Sequence, residues 1–228
     1  LNSEIRALRV YDGLGACRLL EADAGLGMLL LERLRPGKML STLEDDDKAT
    51  EIAADVMRAI QRPAPEEAGF LSLCGWFDEL KNLRPRFEGG TGPFPEKTVE
   101  TVEGMVRELF AEDRPQVLLH GDFHHFNILS SARGWLVIDP KGVIGAAEYE
   151  VGPFMLNPNN VMPEEHEAIR RSQRRIAILS ERLGFDRKRL WSWTVCYSLL
   201  SSWWDVTEDG SGGEDARAWT EILLKIKI

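Results

Sequence analysis

Short apolar runs open the chain. ALRVYDG, ACRLLEAD and MLLLERL follow one another within residues 5–34. Asp12-Gly13-Leu14-Gly15 and Asp23-Ala24-Gly25-Leu26-Gly27 separate them, and such punctuation predicts antiparallel strands joined by hairpins. Arg35-Pro36-Gly37-Lys38 then breaks the strand pattern. Beyond it the apolar period lengthens to three and four. Ser41 followed by Glu44 predicts a capping box, opening a helix whose stripe is Ala49, Ile52, Ala53, Val56 and Ile60 and which ends before Pro63. Trp76, Phe77, Leu80 and Leu83 predict a second helix. Val99, Val102, Met105, Val106, Leu109 and Phe110 predict a third, stopped by Arg114-Pro115, with a loop over 88–96 between the two.

The pattern changes again over 116–142. QVLLH predicts a short strand, and NILSS and WLVID a hairpin turning at Ala132-Arg133-Gly134. Long helices are predicted at 163–183, 187–206 and 214–226. Gly184 is placed to cap the end of the first, and Asp186 to cap the start of the second. The expected organisation is a small β piece, a break at 35–37, and a mostly helical domain with one β-hairpin inside it.

Composition narrows the class. The chain has 228 residues, 43% hydrophobic and 29% charged, enough to bury a core. No apolar run approaches the roughly 20 residues that cross a bilayer. LNSEIRALRV lacks the basic and apolar regions of a secretory signal. Cys17, Cys74 and Cys196 are few and scattered, which argues for a reducing, cytoplasmic setting. Lys plus Arg number 28 and Asp plus Glu 37, so the net charge is 28 − 37 = −9. That balance disfavours nucleic acid or anionic membrane as partners and is compatible with a cationic small molecule. Composition leaves the oligomeric state open.

The densest chemistry is His120-Gly121-Asp122-Phe123-His124-His125-Phe126-Asn127, with Asp139 following in Ile138-Asp139-Pro140-Lys141-Gly142. Three readings compete. Three histidines and an aspartate within six residues could bind zinc, although the spacing is not that of HExxH and His166 lies far off. The same residues could be turn formers satisfying buried backbone groups. Or the set transfers phosphoryl groups: His-x-Asp-x-x-x-x-Asn presents a carboxylate to an acceptor hydroxyl, and the Asn carbonyl and a second Asp after the hairpin take Mg²⁺ on nucleotide phosphates. Asp122, Asn127 and Asp139 meet those demands.

HGDFHHFNIL followed by IDPKG resembles the aminoglycoside phosphotransferase family of small-molecule kinases. LLLERLRPG (29–37) and IDPKGVIGAAEYEVGPFMLNP (138–158) resemble its streptomycin 6-kinase and hydroxyurea-resistance branch. The resemblance implies an α+β, protein-kinase-like two-lobe fold: an N-lobe remnant of antiparallel strands with the hinge over 1–37, and a helical C-lobe over 38–228. It implies ATP- and Mg²⁺-dependent phosphorylation of a small-molecule hydroxyl, on an aminoglycoside such as streptomycin. Asp122 would be the catalytic Asp, the base or the group that orients the hydroxyl, and Asn127 and Asp139 the Mg²⁺ ligands. The Glu32 carbonyl and Leu34 amide would hold the adenine edge. His120 would brace the loop, and His124 would lie near the transferred group or pack the loop. The glycine-rich hairpin and strand Lys of such kinases are not in this sequence, so the chain reads as a kinase lacking the start of its N-lobe, and Glu4 as a candidate for the N-lobe helix. The alternatives are a kinase of the same fold acting on choline, an amino sugar or homoserine, and a non-catalytic kinase-like binding protein. Glu148, Glu150 and the five acids of segment 205–215 are candidates to hold substrate cations. Trp191, Trp193, Trp203 and Trp204 are candidates to stack on a sugar or to fill the core.

Overall fold

The structure is a computed structural model describing residues 1–66, 69–158, 163–208 and 214–228. Its first element corrects the strand expected at ALRVYDG: helix α1 spans Asn2–Tyr11. Ile5, Leu8 and Tyr11, three apart, are buried, and a three-residue spacing belongs to a helix face. Only the fragment read from Leu8 to Val10 mimics strand alternation. The helix ends at Asp12, in the left-handed region.

Strands β1 (Leu19–Asp23) and β2 (Met28–Leu31) form the expected antiparallel hairpin. Strand β3 (Pro36–Met39) crosses the segment expected to be a break and pairs antiparallel with β7 (Ile128–Ser131). Its Pro36 opens the strand, where a missing N–H costs least. Ser41 does not open a helix. It lies in a 3₁₀ turn, Leu40–Thr42, and α2 runs over Asp46–Ile60. Asp45 caps it instead, its carboxylate accepting from the Lys48 N–H at 3.0 Å, with Asp46 and Asp47 adding negative charge in the first turn.

The chain then gives β4 (Arg62–Pro63), β5 (Leu71–Ser72), and two short helices, α3 (Leu73–Asp78) and α4 (Leu83–Arg86), with a 3₁₀ turn between them. The single helix expected there is thus broken. Helix α5 (Glu96–Ala111), strand β6 (Gln116–Leu119) and the β7–β8 hairpin, with β8 at Gly134–Val137, follow as the sequence indicates. Strand β9 (Val143–Ala146) joins β6 in a four-stranded sheet ordered β4-β6-β9-β5.

The remainder is helical: α6 (Val151–Met155), α7 (Glu165–Leu183), α8 (Arg187–Glu208) and α9 (Glu214–Leu224). Gly184 caps α7 in the left-handed conformation, its N–H donating to the Ser180 carbonyl. The Asp186 carboxylate accepts from the Arg189 N–H at 2.9 Å, as a cap should. Helix α8 buries Leu190, Trp193, Val195, Leu199 and Leu200. No helix among the described residues is long and apolar enough to cross a membrane.

Two cross-links join the opening segment to the β7–β8 hairpin. Cys17 N–H donates to the Val137 carbonyl, and Val137 N–H to that of Gly15, both at 2.9 Å. The start of α1 packs on the loop 139–142. A Cβ on Gly142, which has φ 68°, would lie 2.6 Å from the Ser3 carbonyl oxygen, so the IDPKG motif needs its glycine for conformation and for space.

Candidate active site

The loop 120–127 leaves β6 and enters β7, and buried groups fix it from beneath. The His120 ring is fully buried, which pushes its pKa down to about 4. Its Nδ1 accepts the Asp122 N–H at 3.2 Å, so Nε2 carries the proton and donates to the Ile138 carbonyl at 2.8 Å. Glu150, in the 3₁₀ turn Ala147–Glu150 after β9, accepts from the His120 and Gly121 N–H groups. Burial lifts its carboxyl to about 8, against the pull of those two donors. Glu150 is therefore a brace for the loop. His120 is one too, as expected.

Asp122 stands above these braces. His124 Nε2 lies 3.3 Å from its Oδ1, and Lys141 Nζ 3.6 Å from its Oδ2. Burial would raise the Asp122 carboxyl, but the His124 hydrogen bond and the charges of His124 and Lys141 outweigh it and hold the pKa at about 2. Asn127 turns its Nδ2 to the Asp122 carbonyl at 2.9 Å, which leaves its Oδ1 as an acceptor. Asp139 has φ 57°, and its carboxylate lies 2.7 Å from Lys141 Nζ. Glu4 of α1 is close enough for burial and the Asp139 charge to raise its pKa.

Lys141 thus joins Asp122 to Asp139, an ammonium standing between two carboxylates. The oxygen donors of Asp139 and Asn127 fit Mg²⁺, which takes one or two protein ligands together with nucleotide phosphates. Zinc does not fit. Among the described residues no three His, Cys, Asp or Glu side chains converge as a metal-ligand set. His120 is committed to Ile138, and His125 stacks on Phe154 at 4.2 Å between ring centres. His166 is exposed on α7.

A cleft of about 390 Å³ opens beside Asp122, lined by Trp76, Glu79, Gly121, Asp122, Lys141, Tyr197 and Trp204. Trp76 meets Trp204 edge to face at 5.4 Å, and Trp204 Nε1 donates to Glu79 at 2.8 Å. Trp204 thus faces the cleft, whereas Trp193 and Trp203 are core, and Trp191 Nε1 is tied to the Leu223 carbonyl. Glu148 does not face the cleft. It is buried and paired with Arg189 Nε at 3.0 Å. Asp205 is near enough for its charge to act on Tyr197. Asp209 and the side chains of Glu208, Glu214 and Asp215 lie outside what the structure describes. Sequence reasoning gave no role to Lys141, Trp76, Glu79 or Tyr197. For Lys141 the signal was its place two residues after Asp139. For the others, scattered over α3, the turn after it and α8, no signal was available.

In the segment expected to be a hinge, the Glu32 N–H donates to the Arg18 carbonyl at 2.8 Å, and its carboxylate is held by the Arg133 guanidinium. That hydrogen bond is the main influence lowering the Glu32 pKa. The Glu32 side chain and N–H are therefore both engaged within the protein.

A model of the aminoglycoside/hydroxyurea antibiotic resistance kinases matches residues 2–210. The chain belongs to that family. It is 32% identical over 222 residues to streptomycin 6-kinase of Streptomyces glaucescens, covering 96% of this chain and 71% of that one. It is 33% identical over 225 residues to hydroxyurea phosphotransferase of Kitasatospora aureofaciens, covering 96% and 63%. A choline/ethanolamine kinase family protein from Mesorhizobium loti superposes with a TM-score of 0.75 at 14% identity, covering 98% and 80%. That likeness establishes the kinase-like fold of the family member. As a member of this family the chain is a phosphotransferase with a hydroxyl acceptor.

Proposed function

We propose that this kinase transfers the γ-phosphoryl group of ATP, with Mg²⁺, to a hydroxyl of a cationic small molecule of the aminoglycoside type, streptomycin being the first candidate. The carrying observation is the Asp122–Lys141–Asp139 array opening onto the aromatic and acidic cleft. Asn127 and Asp139 would hold Mg²⁺, which would neutralise charge on the nucleotide phosphates. The Glu32 carbonyl and Leu34 amide take the adenine edge, with residues 1–37 carrying the nucleotide-side lobe and hinge and 38–228 the acceptor-side lobe.

Asp122 accepts a hydrogen bond from the acceptor hydroxyl and aims its oxygen at the phosphorus. A carboxylate held near pKa 2 is a weak base, so its main contribution is orientation. The hydroxyl proton passes to it late, once the O–P bond has begun to form and the oxygen has become acidic. The bond from phosphorus to the bridging oxygen breaks, and the electron pair leaves with ADP. His124, 3.3 Å from the Asp122 carboxylate, orients it.

The relatives named for streptomycin suggest the substrate, and the cleft supports it. Guanidinium groups pair with carboxylates and stack on indole faces, and Glu79, Trp76 and Trp204 offer both. The aromatic wall equally suits a quaternary ammonium, so choline is the second reading. The setting expected for an ATP user is the cytoplasm.

The deciding assay incubates the chain with γ-labelled ATP, Mg²⁺, and streptomycin or choline. Label transferred to streptomycin, reduced roughly 10²-fold or more in Asp122→Asn, supports the reading. Equal rates for wild type and Asp122→Asn sink it. Transfer to choline alone replaces the substrate and keeps the mechanism.

A further inference from the structure

Lys141 lies outside the three positions that define the motif, yet it occupies the centre of the site. Its Nζ is 2.7 Å from Asp139 and 3.6 Å from Asp122. Among the described residues it is the cation that touches both carboxylates. Its backbone is fixed: the N–H donates to the His120 carbonyl at 2.7 Å, and Gly142 beyond it is pinned against Ser3. The side chain is 39% exposed and lines the cleft, so it is open to a ligand.

We infer that Lys141 is a further catalytic residue, whose ammonium binds the phosphoryl group as it passes from nucleotide to acceptor. The inference rests on the transfer reading above. If nucleotide phosphates sit at Asn127 and Asp139 and the acceptor hydroxyl at Asp122, the group in flight must cross the space between the two carboxylates. Lys141 Nζ is already within hydrogen-bonding reach of that space. The bonds made and broken are those already described, and Lys141 neither gains nor loses a proton. It adds positive charge beside phosphoryl oxygens whose charge redistributes in the transition state. With phosphates present, its present contact with Asp139 would give way to one with the γ-phosphoryl oxygens. An ammonium that only bridges Asp122 and Asp139 would contribute to stability and not to recognition of the third phosphate.

The test compares equilibrium binding of MgADP with that of the Mg²⁺ complex of a non-hydrolysable imido analogue of ATP. Wild type should bind the triphosphate about tenfold or more tightly than the diphosphate, the scale of a charge-assisted contact. Lys141→Met should erase that preference and leave MgADP affinity within a factor of two. Lys141→Arg should restore part of it. In turnover, Lys141→Met should lower kcat by roughly 10²-fold or more, with the acceptor KM little changed. If Lys141→Met keeps both the triphosphate preference and the rate, and loses only thermal stability, the ammonium is structural and the inference is overturned. Wild type and Asp122→Asn separate the two levels. Transfer by wild type that is lost in Asp122→Asn, beside full activity in Lys141→Met, removes the lysine role alone. A wild-type chain that binds neither nucleotide removes the lysine role and the transfer reading together.

Discussion

Replacing Glu150 by Gln tests how the loop 120–127 is held. The Glu150 carboxyl is buried beneath His120 and Gly121 and accepts both of their N–H groups. Burial raises its pKa from 4.5 to about 8, and the charge of Asp122 adds to the rise. A raised carboxyl binds a proton in the folded state that the unfolded chain gives up above pH 4.5. Its contribution to stability is therefore full below pH 4.5 and is lost as pH rises through about 8. Each pH unit between the two values is worth about 1.4 kcal/mol, so from pH 6 to pH 9 wild type should lose roughly 2.5 kcal/mol at this site. Gln copies the protonated form. Its oxygen accepts the same two N–H groups, and it does not titrate. In a chain of this length roughly 2.5 kcal/mol corresponds to about 5–10 °C in Tm. Thermal or denaturant unfolding of the two proteins at pH 6, 7.5 and 9 should show curves that meet at low pH and diverge as pH rises, with the variant the more stable at pH 9. The neutral, buried His120 imposes its own acid-side slope, but it is common to both proteins and cancels in the difference. A wild-type-minus-variant difference that does not change with pH would refute the burial argument. Glu150→Ala, by contrast, strands two buried N–H groups and should lower both stability and kcat.

Three further outcomes follow from the geometry. Asp139→Ala should abolish the Mg²⁺ dependence of nucleotide binding, read by calorimetry with and without the metal, because Asn127 alone is one oxygen donor. Arg175 is buried and holds Asp46 through Nε and Nη2 while Nη1 reaches the Phe154, Met155 and Asn157 carbonyls. Asp46 is partly exposed, so Arg175→Met should cost roughly 1–3 kcal/mol by denaturant titration, mainly from the buried carbonyls left without a donor. Glu79→Gln and Trp204→Leu should each raise the KM for a cationic acceptor several-fold while nucleotide affinity stays put, and the Glu79 effect should shrink as salt is added.

The fold was most legible where local chemistry and burial agree. The stripes of α2 and α5, the caps at Gly184 and Asp186, and the β7–β8 hairpin all follow their sequence signals, because each buries one face set by its own period. Failure came where a partner remote in sequence decides. ALRVYDG carries branched and aromatic residues that suit a strand, yet Ile5, Leu8 and Tyr11 find their burial as a helix face. Pro36–Met39 becomes a strand because the hairpin edge at Leu129–Ser131 lies beside it, more than ninety residues away in sequence. Strands β4, β5 and β9 are two to four residues long and exist through their pairing in one sheet. No local pattern of that length could announce them.

The site divides in the same way, and the division matches its chemistry. Phosphoryl transfer asks for a base and metal ligands in a fixed mutual geometry. In the proposed reading a loop, a hairpin and a turn would supply it within the stretch from His120 to Lys141, so the spacing of Asp122, Asn127 and Asp139 is readable as a motif. Recognition of the acceptor asks for a surface shaped to one molecule. Here Trp76 comes from α3, Glu79 from the turn after it, and Tyr197 and Trp204 from α8, two turns apart on one helix. Each of these side chains also packs or hydrogen-bonds with its neighbours, so in the sequence it is indistinguishable from core or surface. Lys141 belongs to both halves. It is held by the motif through Asp139 and exposed to the cleft beside Asp122, between the sites that the proposed transfer would give to nucleotide and acceptor.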